Sequence, residues 1–229
     1  MAGDDANAEQ YTQDEPRMEI VDAECLLIHG LLSLNEQVEL CEYIHHNDKT
    51  PYDKQPRPMV PAPKTLVLGP DGTHPNRSYR AGEATVVNRF VDKGVAVLKR
   101  AGSGIFSGGR ANLSEYTSLS MATIRYEAPT GRFPPHVDHC NDSAVFLVSL
   151  GRTANFMVKG PGTARSDAPK RFKLYSGDVL VFNASTEANI LHGVESIDES
   201  ASELGEALAN RFPVLQSHRY GVQCRMYFG

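Results

Sequence analysis

MATIRY (121–126), AVFLVSLG (144–151), ANFMVKG (154–160), DVLVF (178–182), NILHGV (189–194) and RYGVQCRMYF (219–228) succeed one another in the C-terminal half. Each run is rich in Val, Ile, Phe or Tyr and too short for a helix, and turn residues separate it from the next. Short, regularly spaced runs of this kind predict an antiparallel sandwich or barrel beginning near residue 119. The segment 196–213 interrupts the series. Its Leu204 and Leu208, set among Ala and Glu, predict a helical or mobile insertion between two strands.

Upstream of residue 119 the pattern changes to helical spacing. Ser33 and Glu36 stand at capping-box distance, and Leu34, Val38, Cys41 and Ile44 follow on one face. This is the first clear element. A second helix is expected over 85–101, with Val87, Phe90, Val91, Val95 and Leu98 on its apolar stripe and Gly94 weakening its middle. Phe90 reads as core. Between the helices, 51–80 is dense in proline and glycine, so long regular elements are not expected. An irregular stretch of that length in a compact domain suits a lid or binding loop. GSGIFSGGR (102–110) breaks the second helix. Residues 1–17 are polar and acidic and are expected to be disordered. The remainder, 18–229, is one domain, the prior at a length of 229 residues.

Charge and cysteine usage narrow the setting. The net charge is −5, with an acidic N-terminal stretch and a more basic middle. That total argues against strong non-specific nucleic-acid binding yet leaves room for a local anion-binding face. The four cysteines, at 25, 41, 140 and 224, form no CxxC pair and fit free thiols in a reducing, intracellular compartment. The N-terminus lacks the basic and apolar regions of a secretory signal. No apolar run reaches the ~18 residues of a membrane span. Nothing distinguishes nucleus from cytoplasm or sets an oligomeric state.

The chemistry-bearing residues fall into two groups. His136 and Asp138 stand two apart, and His192 follows inside a short apolar run. Alternate strand residues share a face, so one imidazole and one carboxylate can meet one metal, with a histidine from a neighbouring strand as third ligand. Two histidines and a carboxylate on one side of a metal leave open positions, the arrangement of non-haem Fe(II) oxygenases. An HxD pair alone is common by chance. Arg219 and Arg225 lie six apart on the last strand and should point the same way. If both point inward, an anion must meet them. A dicarboxylate would do so, since Arg grips carboxylate as a fork. The alternative is that both face solvent.

In their order, RYEAPTGRFPPHVD, SLGRTANFMV, LYSGDVLVF, ILHGV and the Arg-x5-Arg strand resemble the AlkB-like family of 2-oxoglutarate dioxygenases over 119–229. The resemblance implies an α+β, mainly β fold: a double-stranded β-helix (jelly-roll) core buttressed by N-terminal helices. It implies Fe(II) held by His136, Asp138 and His192, and 2-oxoglutarate held by Tyr126, Arg219 and Arg225. It also implies use of dioxygen to oxidise a substrate C–H bond. An oxidised N-methyl group would leave as formaldehyde. No nucleophile elbow or P-loop suggests other chemistry.

The chain departs from the family pattern at named positions. Ile124 and Gly221 stand where its nucleic-acid demethylases commonly carry Asn, and Cys140 where an acid often reads the base. The interval from His192 to Arg219 is longer than usual. These departures bear on the substrate, not on the iron site. A nucleic-acid substrate needs its base outside the stack, between flat groups. Tryptophan is absent, leaving Tyr79, Phe133 and His139, with Cys140, as the residues expected to meet it. Arg77, Arg80, Arg89 and Lys93 could touch phosphates. The first expectation is demethylation of alkylated DNA or RNA. The alternatives are the same chemistry on a protein side chain or small molecule, or a non-catalytic binding module.

Overall fold

The computed structural model describes residues 15–47, 64–68, 79–80, 85–100 and 116–228. Along the chain they form β1 (Arg17–Asp22), β2 (Cys25–His29), α1 (Leu34–Asn47), β3 (Lys64–Leu68), β4 (Tyr79–Arg80), α2 (Val86–Arg100) and β5 (Tyr116–Glu127). Then come β6 (Phe133–Val137), β7 (Ser143–Gly151), β8 (Ala154–Lys159), β9 (Lys170–Leu174), β10 (Val179–Asn183), β11 (Leu191–Ile197), α3 (Glu203–Arg211) and β12 (His218–Phe228).

The short apolar runs become two antiparallel sheets. The larger has the order β1-β2-β10-β7-β12-β5-β3, with β4 also on β5; the smaller is β6-β11-β8-β9. Between the sheets, Ile124, Tyr126, Val145 and Phe182 of the larger pack with Phe156, Val158 and Val194 of the smaller. On the other face of the larger sheet, Phe146, Val148, Val222 and Met226 pack against the apolar stripes of α1 and α2. This is the jelly roll with buttressing helices. It also explains why β7 is buried at nearly every position: one of its faces meets each core.

The helices form for the expected reasons. Ser33 N donates to Glu36 Oε2 at 2.8 Å, and Glu36 N donates back to Ser33 Oγ at 3.4 Å, a reciprocal N-terminal cap. Phe90 is buried in the helix–sheet core. The 196–213 insertion is helical: Ser202 caps α3, which buries Leu208 and Ala209. Arg152 ties it down, donating to Glu206 at 3.0 Å and to the Gln216 carbonyl.

The N-terminal expectation needs correction. Two strands precede the helix at Ser33, and Arg17 already pairs with His29. Here β1 is an edge strand with Glu19 and Ile20 exposed, so its alternation is weak, while β2 is buried along most of its length and shows none. Residues 1–14 lie outside the described residues. So do most of 51–80 and GSGIFSGGR. Within the proline-rich stretch β3 and β4 pair with β5. No helix among the described residues is long and apolar enough to cross a membrane.

Gly94 is a packing requirement. A Cβ there would sit 2.2 Å from Phe146 Cζ and 3.2 Å from Leu31 Cδ2. Helix propensity alone predicts that Gly94→Ala stabilises by about 1 kcal/mol; overpacking against a buried ring costs about 1–3 kcal/mol. Urea unfolding should show a lower midpoint for Gly94→Ala. A raised midpoint would mean that α2 does not seat on Phe146.

Candidate metal centre and cosubstrate pocket

The pairing of β6 with β11 sets His136 opposite His192. Asp138 follows directly on β6. One potential ligand atom from each of the three lies within 4.8 Å of the others. The contacts around them decide which atoms remain available. His136 Nδ1 lies 2.9 Å from the Pro134 carbonyl, and His192 Nδ1 lies 3.0 Å from that of Ile190. A carbonyl only accepts, so each Nδ1 carries the proton and each Nε2 keeps its lone pair. Asp138 Oδ2 accepts from Arg225 Nη2 at 2.7 Å, which leaves Oδ1 facing His136 Nε2 at 3.7 Å. Burial, and then the neighbouring His136, pushes His192 down to about 4, so it is neutral at physiological pH. Two imidazole nitrogens and one carboxylate oxygen form a donor set that suits Fe(II).

Close approach of the two strands depends on Gly193. Register shifts between His192 and Val194, and a Cβ on Gly193 would lie 2.8 Å from the Phe133 carbonyl oxygen and 3.0 Å from Pro135 N. Only a bare backbone lets β6 lie this close.

The second half of the site is on β12. Its alternation sends Tyr220, Val222 and Cys224 into the helix–sheet core. Arg219, Gly221, Gln223 and Arg225 therefore share the opposite face, toward the smaller sheet. Arg219 is 1% exposed, so the solvent-facing alternative does not hold. Among the described residues its Nε and Nη2 have no hydrogen-bond partner. The guanidinium carbon lies 5.8 Å from the centre of the Tyr126 ring. Burial pushes Arg219 down to about 10, so it stays charged at neutral pH. Burial also pushes the Tyr126 phenol up, so it remains a protonated donor. A buried cation of this kind needs an anion, and the orphaned N–H groups fit one carboxylate of a dicarboxylate.

An apolar cavity joins the two halves. Its empty volume, open mouth included, is about 360 Å³. Ile124, Tyr126 and Leu147 wall it, with His136 and His192 also on its surface. Phe133 lines it too, its ring centre 4.6 Å from that of His136. Phe182 lies 4.4 Å from the His192 ring.

The other substrate expectations fare differently. His139 is exposed, 3.5 Å from the Thr186 hydroxyl. Cys140 is tied through its backbone N to the Ala184 carbonyl. Neither lines the cavity. The Tyr79 side chain lies outside the described residues. Phe156, Phe182, Gly193 and Gln223 escaped the sequence reading. Alternation from the two arginines could have flagged Gln223; nothing local flags the others.

The sequence profile of the 2OG-Fe(II) oxygenase superfamily matches residues 24–225. The chain belongs to that superfamily. It is a dioxygenase whose cofactor and cosubstrate are Fe(II) and 2-oxoglutarate. No curated protein sequence matches it. Among solved structures, this superfamily member resembles OsALKBH1 at 16% identity and a TM-score of 0.60, covering 93% of this chain and 100% of that one. A Pseudomonas putida prolyl-4-hydroxylase matches at 10% identity and a TM-score of 0.50, over 90% and 93% of the two chains. At such identities the likeness is one of fold, here AlkB-like.

The Gly193→Ala protein should fold, yet bind divalent metal at least about tenfold more weakly, because misaligning one metal ligand costs that much. Titration with Co(II), followed by its visible absorption, measures this. Unchanged affinity would mean that β6 tolerates the displacement.

Proposed function

We propose that this dioxygenase removes alkyl groups oxidatively from nucleobases of DNA or RNA. His136, Asp138 and His192 hold the iron, and Tyr126, Arg219 and Arg225 serve the 2-oxoglutarate. The observation that carries the cosubstrate assignment is the buried Arg219, two of whose nitrogens lack a partner among the described residues, next to Tyr126 of the cavity wall. Bound iron and 2-oxoglutarate supply the oxidising power, consuming dioxygen and yielding succinate and carbon dioxide.

The chain's own residues do the positioning. Arg219 anchors the distal carboxylate as a fork, with the Tyr126 hydroxyl as a further donor. Arg225 orients Asp138 and offsets its charge. The two carbonyl-bound Nδ1 protons fix both imidazoles in the metal-binding tautomer. Leu147, Phe156 and Phe182 keep water from the reacting atoms. Phe133, beside His136 at the half-exposed end of the cavity, offers the flat face on which an extruded base would stack. The AlkB-like sequence order and the better fold match to OsALKBH1 than to the prolyl hydroxylase support a nucleic-acid substrate. The four free thiols suit a reducing, intracellular setting.

A second reading keeps the chemistry and changes the substrate to a protein side chain or small molecule. It is favoured by the net charge of −5, the absence of tryptophan and the placement of Cys140 away from the cavity.

Formaldehyde release from methylated DNA and RNA oligonucleotides separates the two. The first reading predicts 2-oxoglutarate-dependent formaldehyde from at least one oligonucleotide, with affinity falling as salt rises. Substrate-independent succinate formation, with no formaldehyde from any oligonucleotide, would favour the second.

A further inference from the structure

Ser143 opens β7 and is 3% exposed. It shares a strand face with Val145, which lies opposite Arg225 on β12. Its hydroxyl donates to the Cys140 carbonyl at 2.8 Å. A serine hydroxyl has a single hydrogen, and this bond uses it. Only lone pairs remain toward Arg225, whose Nη1 donates to Ser143 Oγ at 3.4 Å. The backbone keeps the serine in place. Ala184 N donates to the Ser143 carbonyl at 3.1 Å, and the Ala184 carbonyl accepts from Cys140 N at 3.1 Å. The β6–β7 and β10–β11 loops are thereby tied together on the chain that leads away from Asp138.

Arg225 therefore has its two terminal nitrogens on different partners. Nη2 donates to Asp138 Oδ2 at 2.7 Å, while Nη1 is drawn to Ser143. An arginine beside a carboxylate otherwise favours a fork, with two parallel N–H groups on the two oxygens. A fork here would also engage Asp138 Oδ1, the oxygen that faces His136 Nε2 at 3.7 Å. That oxygen is the one a metal between the histidines would need. Ser143 gives the second nitrogen somewhere else to go.

We propose that Ser143 is a positioning residue: it diverts Arg225 from a fork on Asp138 and so keeps Oδ1 available to the metal. This rests on the reading of His136, Asp138 and His192 as the metal ligands.

Co(II) titration of the full-length protein, followed by visible absorption, tests it without turnover. Ser143→Ala should weaken Co(II) binding roughly tenfold, as loss of a partner behind a metal ligand does. Lysine is a point charge that cannot fork. In an Arg225→Lys background the same Ser143→Ala change should therefore cost less than about twofold, the scatter of uncoupled sites. A serine that merely supports the fold would cost the same in both backgrounds. That result, or wild-type affinity in Ser143→Ala, overturns the role of Ser143 while the metal centre stands. His136→Ala runs beside these variants. If it binds Co(II) like wild type, the ligand reading fails and takes this proposal with it. Ser143→Cys, close in size but a weak acceptor, replaces the alanine variant should that one not fold.

Discussion

A guanidinium with unpaired N–H groups is not stable in an apolar interior without an anion. Arg219 is in that position. It is shut off from solvent by the strands of the jelly roll, and its guanidinium rests over the Tyr126 ring. Isolated burial of a charge costs several kcal/mol even after relaxation. In the proposed reading, the compensating charge comes from a ligand carboxylate that reaches Arg219 past Tyr126, a wall of the cavity. Gly221 gives the guanidinium its seat, and Tyr126 remains a neutral donor next to it. A pocket arranged in this way is incomplete without a carboxylate.

The metal end follows a related logic with the opposite sign. Each of the three donor residues has one atom engaged by the protein and one left over. Backbone carbonyls two residues upstream hold the Nδ1 protons of both histidines, and Arg225 holds one carboxylate oxygen of Asp138. The spare atoms are thus fixed in direction before any metal arrives, which lowers the ordering cost of binding. Strand pairing does the rest. His136 and His192 face one another because β6 lies against Gly193. The two arginines of β12 stand at opposite ends of one face, Arg219 against the Tyr126 ring and Arg225 on Asp138.

Much of this was legible in the sequence where periodicity is strong. The strands from residue 119 onward and both helices follow from alternation, helical spacing and the Ser33–Glu36 cap, and the apolar pair Leu204 and Leu208 marks the 196–213 insertion, left open there between helical and mobile. The metal set was legible because its members are rare residue types at strand spacing, and Arg219 and Arg225 because charge on an apolar strand demands an explanation. The strands β1 and β2 were not legible. One is an exposed edge and the other is buried along most of its length, so neither alternates clearly. The cavity walls escaped for a different reason. Phe156 and Phe182 come from strands far apart in sequence and look like any core phenylalanine until the sheets face each other. His139 was expected near the substrate as a flat group beside Asp138, and Cys140 from the family's base-reading position, but neither lines the cavity and the Cys140 backbone N bonds Ala184.

In the proposed reading, substrate choice depends on the mouth of the cavity, where Phe133 stands beside His136. The chemistry depends on the two anchored halves behind it, and their joint occupancy is the central claim. Anaerobic addition of Fe(II) and 2-oxoglutarate, followed by the visible charge-transfer band of the chelate, reads that occupancy directly. The account predicts a band in the wild-type protein, none in His192→Ala, and in Arg219→Ala a band that requires roughly tenfold more 2-oxoglutarate or higher. A folded wild-type protein that gives no band, or an Arg219→Ala protein that titrates like wild type, would contradict it.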